Sequence, residues 1–330
     1  MDVEHCLSGK YCCKVGSILS SQSLQLRFTS AQSRELQAQL AGQIARALAV
    51  FCVDEVVIFD DGDFRPPPSD KGQDDSANHE KYTGYTDPNY FLAHLLSYLE
   101  CPPYLRRALF QRHPDLQHAG MLPSLDMPHH IKATKSFEYR EGVTTDGSVS
   151  DAEGKTLVDI GMRDPVHVPS RIPANTRVTL KFEPEAETYE PVAPTAPKED
   201  KGWYWGYSVR VAKSMSAVMT ESPYDGGYDL TFGTSERGRP VSEVTSEDSV
   251  PAFQHMMLVL GGVAGLEVAV KADEELKKLN VESPESLFDY WVNLLPGQGS
   301  RTIRTEEAIW LGLMTLKGVA QLKGQNPSSS

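Results

Sequence analysis

The sequence predicts a layered α/β fold carrying a small all-β module in its middle, and three observations predict it. Towards both ends of the chain, apolar runs of strand length alternate with segments of helical periodicity. Between them, short runs alternate apolar with polar residues and are divided by Gly, Asn and Pro turns. Three later strand ends run directly into loops of small and polar residues, where an open α/β sheet keeps its ligand.

In chain order, residues up to about 11 lack periodicity and are expected to fray, and residues 14–19 form a short strand. Residues 33–50 predict a helix with Leu36, Leu40, Ile44, Ala47 and Leu48 on one face. Residues 53–59 read as a buried strand, residues 60–86 as an acidic, mobile insertion, and 89–99 and 103–110 as helices. The β module draws its strands from residues 137–144, 156–162, 177–182 and 204–211, as a five-stranded barrel, with the proline-bearing stretch 183–202 as a loop. A helix at 212–220 follows, then strands at 228–232, 255–260 and 289–295, with Ser283-Pro284 capping a short helix between the last two. Thr305 can cap the final helix, whose first-turn Glu306 and Glu307 complement its dipole and whose Ile309, Leu313, Leu316 and Ala320 form an apolar stripe.

At 330 residues with 40 % apolar content, two domains are expected. One is an α/β domain from 14–130 and 213–324, the other an inserted barrel at 131–212, with flexible ends at 1–13 and 325–330. No run approaches the roughly 18 apolar residues of a membrane span, and no signal pattern opens the chain, so a soluble intracellular protein with no membrane partner is expected. The five cysteines are scattered without CxxC spacing or a matching His pair, so reduced thiols and no metal are expected. The net charge of −13 speaks against nucleic acid, but it is uneven: ten acidic residues face three basic ones between Asp54 and Asp87. A basic face elsewhere can still steer a polyanion.

The three loops read Gly-Tyr-Asp-Leu-Thr-Phe-Gly-Thr-Ser-Glu-Arg-Gly at 227–238, Gly-Gly-Val-Ala-Gly-Leu-Glu at 261–267, and Pro-Gly-Gln-Gly-Ser-Arg-Thr-Ile-Arg-Thr-Glu-Glu-Ala at 296–308. None matches a dinucleotide fingerprint or a P-loop. Together they resemble the trefoil-knot SPOUT methyltransferases, in particular the archaeal and eukaryotic branch whose knot domain carries an inserted OB-like barrel. Met127-Pro-His-His130, Phe137-Glu-Tyr-Arg-Glu-Gly142 and residues 202–212 are similar to that branch as well, so the resemblance covers roughly residues 14–321. It implies an α/β fold with a SPOUT-type trefoil-knotted parallel sheet, S-adenosylmethionine as methyl donor, and RNA as acceptor. It further implies a uridine ring nitrogen (N3) of large-subunit rRNA as target, a homodimer with the active site at the subunit interface, and a nuclear or nucleolar location, with the cytoplasm as the alternative. The chain departs from the expected eukaryotic relatives in lacking a long basic N-terminal tail.

Under that resemblance, Thr234, Ser235, Gly261, Gly262, Gly265, Leu295, Gly297, Gly299, Ser300, Thr302 and Ile303 are the cofactor-binding candidates, chiefly through backbone amides. Methyl transfer is mostly positioning, but a uridine imide must lose its proton and spread charge onto the ring oxygens. Arg301 and Arg304 are the first choices to meet that charge and Arg237 the next, with Glu236 or Glu306 as proton acceptor. Plainer readings make Glu306 a helix-dipole partner and Arg304 a dimer salt bridge. In the β module, Trp203, Tyr204, Trp205 and Tyr207 can stack on bases, or part of the set can be core; strand alternation would send Tyr204 to the opposite face from the other three. His129 and His130 border the site or form a buried, hydrogen-bonded turn. Two further readings stay open: a non-catalytic RNA- or spindle-binding scaffold, and a methyltransferase acting on protein.

Overall fold

The computed structural model describes residues 14–20, 33–62, 82–132, 134–135, 137–150, 155–246, 250–262 and 265–324. The expected flexible ends and most of the acidic insertion lie outside these residues. In chain order the elements are β1 (Lys14–Ser20), α1 (Arg34–Val50), β2 (Glu55–Phe59), α2 (Pro88–Glu100), α3 (Arg106–Leu109), β3 (Tyr139–Ser150), β4 (Lys155–Asp159), β5 (Val166–Val168), β6 (Arg177–Glu183), β7 (Thr188–Val192), α4 (Ala196–Lys201) and β8 (Ser208–Ala212). They continue with α5 (Met215–Thr220), β9 (Leu230–Pro240), α6 (Val241–Ser246), β10 (His255–Leu260), α7 (Leu266–Ala272), α8 (Glu274–Lys278), β11 (Tyr290–Asn293) and α9 (Thr305–Lys323). Two compact units result: Tyr98–Arg112 with Leu125–Gly206, and a larger one holding the other described residues.

The larger unit is built on a six-stranded, all-parallel sheet in the order β11-β9-β10-β1-β2-β8. Parallel sheets are covered on both faces, which is why β2 after Glu55 and β10 after His255 read as apolar runs; all of β2 and all of β10 but its first residue are buried. On α1, Ser33 caps the helix by accepting from the Leu36 amide at 3.2 Å, and Leu40, Ile44 and Leu48 enter the core while Leu36 stays exposed. The final helix buries Ile309, Leu313 and Leu316 as expected. Its Gly312 lies against Leu258 of β10. Its cap is Arg304 rather than Thr305: Thr305 is already helical, and the Glu307 carboxylate accepts the Arg304 backbone N–H at 2.8 Å.

The smaller unit is an antiparallel sheet in the order β5-β4-β3-β6-β7. Its edge strands β5 and β7 approach each other to make a near-barrel, around Val158, Ile160, Val168 and Leu180. Its membership differs from the sequence reading. Residues 204–211 supply no barrel strand; β8 instead joins the parallel sheet beside β2. The stretch 183–202, expected as a loop, holds β7 and α4. Its prolines are compatible with both, because Pro191 sits on an edge strand and Pro197 in the first turn of a helix.

Candidate active site

The switch in strand order between β1 and β10 marks where a parallel sheet opens a crevice at its carboxyl end. Three loops leave the larger unit's sheet at that end. The first is an excursion within β9: Gly233 pairs with Trp291 while Arg239 pairs with the next residue, Val292, so residues 234–238 loop out between two consecutive partners. A side chain at Gly233 would strike Phe288 at 2.3 Å, so the excursion starts where only glycine fits. The second loop follows β10. Gly265 opens α7 with φ 78° and ψ −179°, a conformation reserved for glycine. The third joins β11 to α9.

These loops are tied together by their own polar groups. Thr234 Oγ1 donates to the Val259 carbonyl at 2.9 Å, fixing the first loop to β10. Asn293 Nδ2 donates to the Glu236 carbonyl at 2.8 Å, and Asn293 Oδ1 accepts from the Leu295 amide at 3.0 Å, so one side chain holds the first and third loops. Arg237 lies 3.8 Å from Glu267, the second residue of α7. Within the third loop, Ser300 Oγ donates to the Thr302 carbonyl at 2.9 Å. Below, Asp289 accepts from both the amide and the hydroxyl of Thr231, clamping β11 to β9. Asn293 and Asp289 were not singled out from the sequence; only the strand-end position of Asn293 beside the Pro-Gly turn hinted at its part.

Of the cofactor candidates, Leu295, Gly297, Gly299, Ser300 and Thr302 are exposed, and Thr234, Ser235, Gly261, Gly262, Gly265 and Ile303 half-buried. Nothing lies within 4 Å of where side chains at Gly297 and Gly299 would begin, so this rim is open backbone. Arg301, Arg304 and Glu236 are exposed, and the Arg237 side chain is 78 % exposed. Glu306 is the exception: it is 7 % exposed in the first turn of α9, the position of a helix-dipole partner.

The aromatic set of the β module divides. Residues 202–207 are not a strand, and Gly206 turns with φ 96°, so the expected alternation of faces does not apply. Trp205 is 9 % exposed and donates from Nε1 to Glu141 Oε1 at 2.7 Å; Tyr207 is 5 % exposed and donates to the Leu96 carbonyl at 3.1 Å. Neither offers a ring face to a base, and both are structural. Trp203, half-buried, packs on Phe137 at 4.7 Å between ring centroids, and Tyr204 is half-buried as well.

Trp205 belongs to a buried charge cluster of the smaller unit. Arg177 bridges Glu100 at 2.6 Å and Glu141 at 2.7 Å, and Thr179 donates to Glu141 at 2.7 Å. His129 Nε2 lies 2.9 Å from the Glu100 carboxylate and 3.0 Å from its carbonyl, which also accepts from His130 at 2.7 Å. The two histidines thus satisfy an orphan carbonyl at the end of α2, so they form the buried turn. Burial pushes the Glu100 carboxyl up, but the His129 bond and the Arg177 guanidinium outweigh it and hold it down at about 2. Burial, reinforced by the His129 ring, brings His130 down to about 3 and keeps it neutral.

Among known proteins, the model of a family described as "Putative RNA methyltransferase" matches residues 18–316. Relatives named 28S rRNA (uridine-N(3))-methyltransferase occur in Drosophila melanogaster, Mus musculus and Homo sapiens. The fly protein is 45 % identical over 294 residues, 87 % of this chain and 59 % of its own length. The mouse protein is 44 % identical over 91 % of this chain and 76 % of its own length, and the human protein 44 % identical over 87 % and 74 %. The chain therefore spans about three fifths of the fly relative and about three quarters of the other two.

Proposed function

The chain belongs to this RNA methyltransferase family, and from that premise we propose that it methylates the N3 of a uridine in large-subunit ribosomal RNA, with S-adenosylmethionine as donor. The names of the three relatives support the target. The observation that carries the reading is the tying of three backbone-rich loops into one rim at the carboxyl end of a parallel sheet. The open backbone at Gly297 and Gly299 fits an adenosyl compound, which approaches main-chain groups closely. The donor supplies an electrophilic methyl on a sulfonium centre. The chain's part is to hold it by backbone groups of Thr234, Ser235, Gly261, Gly262, Gly265, Leu295, Gly297, Gly299, Ser300, Thr302 and Ile303. Glu236, the exposed carboxylate of the set, takes the N3 proton, and Arg301, with Arg304 and Arg237, meets the charge that spreads onto the ring oxygens. Glu306 serves its helix.

A trefoil knot is part of the proposal. In its support, β11 lies at one edge of the sheet, yet α9 returns along β10 and α1, and Gly324 after it pairs with Phe253 ahead of β10. A homodimer is supported by Trp310 and Met314 on α9, exposed at 38 % and 65 %. The near-barrel unit, with Trp203 and Tyr204, is assigned to gripping RNA, and action on ribosomal RNA would put the protein in the nucleus or nucleolus. The test is calorimetry with S-adenosylhomocysteine, followed by mass-spectrometric nucleoside analysis of rRNA from cells lacking the protein. Saturable binding together with loss of one N3-methyluridine is expected. Absence of binding would leave only the scaffold reading, and binding with an unchanged nucleoside inventory would favour a protein acceptor.

A further inference from the structure

Away from the loops, the larger unit brings together three side chains that the methyl-transfer reading does not use. His94 lies on α2, and His113 and Asp115 flank Pro114 at a 3-10 turn. One ligand atom of each lies within 4.8 Å of the others. His94 Nδ1 is 3.2 Å from Asp115 Oδ2 and His113 Nδ1 is 3.1 Å from the same oxygen. His113 Nδ1 accepts the Asp115 backbone N–H at 3.2 Å. The same Nδ1 thus meets both the backbone amide and a carboxylate oxygen of Asp115. Two electron-rich atoms at that separation are held together by a proton or a metal cation between them, and the site offers room for either. Donors about 2.1 Å from a tetrahedral zinc ion stand about 3.4 Å from one another, close to both measured separations. The carboxylate is already oriented: Thr83 donates to it from its amide at 2.8 Å and its hydroxyl at 2.6 Å, the kind of outer support that metal ligands carry. Asp115 is fully covered, while the His94 and His113 side chains keep 13 % and 20 % of their surface, which leaves a path for an ion and a fourth ligand from water.

We propose that His94, His113 and Asp115 form a site for a divalent transition-metal ion, zinc by its donor set of two imidazoles and a carboxylate, that clips the Pro114–Leu116 turn to α2. The ion would draw the His113 lone pair away from its long contact with the Asp115 amide. The full-length chain, stripped with a chelator, is titrated with zinc sulfate in competition with a chromogenic chelator. One bound equivalent is expected, with a loss of at least about tenfold in affinity for His94→Ala and for His113→Ala. His167→Ala, at an exposed position on β5, should leave affinity unchanged. No stoichiometric binding by folded protein, or equal binding by both variants, overturns the proposal. Because a variant can fail to fold, cobalt(II) is also titrated into the unaltered chain: intense visible bands saturating at one equivalent and displaced by zinc support the site, and the pale spectrum of hydrated cobalt overturns it.

Discussion

Arg301 is exposed on an open rim of backbone, so its removal should be felt by the reaction rather than by the fold. Arg301→Ala is expected to lower methyl transfer by about 10²–10³-fold, the cost of losing one donor to a developing anion. S-adenosylhomocysteine affinity should stay unchanged, and a parallel loss of both would remove Arg301 from the chemistry. A second residue-scale prediction concerns acid. His130 is held neutral at about 3 against an ordinary 6.5, so its stabilising effect is complete above 6.5 and is lost as pH falls from there towards 3. Glu100 is held at about 2 against an ordinary 4.5, so its contribution disappears in a lower window, from 4.5 towards 2. Urea midpoints followed against pH should fall in two stages, and His130→Gln should flatten only the upper one. At this scale loop composition was enough to name candidate side chains for the chemistry. The fates of Trp205 and Tyr207 were not: burial depends on partners such as Glu141 and Leu96, 64 and 111 residues distant.

Among the elements, the turn at Gly206 is the sharpest test of the smaller unit's design. A Cβ there would meet Glu100 Oε1 at 2.3 Å, and the positive φ of 96° adds strain. Gly206→Ala should therefore destabilise the protein by about 1–3 kcal/mol, read as a lowered urea midpoint; an unchanged midpoint would mean that the charge cluster is soft. Local patterns located α1, β2, β10 and the apolar stripe of α9 well, since each is long or densely apolar. They misjudged β8 and the stretch holding β7 and α4. A half-polar strand such as Ser208–Ala212 carries the same alternation in a barrel as at the edge of a parallel sheet. Proline counts do not tell an edge strand from a loop.

For the whole molecule, the exposed Trp310 and Met314 on α9 carry the expectation of a dimer. Met314→Glu should convert a dimer to a monomer in light scattering and, if the rim is completed by a second copy, abolish methyl transfer. A monomeric parent, or a charged variant that remains dimeric and active, would redirect the interface elsewhere. The His94, His113 and Asp115 cluster belongs to this scale as well. Cysteine spacing, which predicts no metal, carries no information about these residues, because they meet only where α2 and a later turn fold together.

By itself the sequence determined the α/β class, the presence of a β module, and three glycine-bearing strand ends whose motifs resemble one methyltransferase branch. These are local properties, written in periodicity, turn chemistry and short motifs. The tertiary structure alone decided that Thr234, Asn293 and Arg237 bind the three loops into one rim, that β8 joins the parallel sheet, and that two histidines face one carboxylate. Such contacts join residues far apart along the chain, and a pattern that repeats every two or four residues carries no information about them.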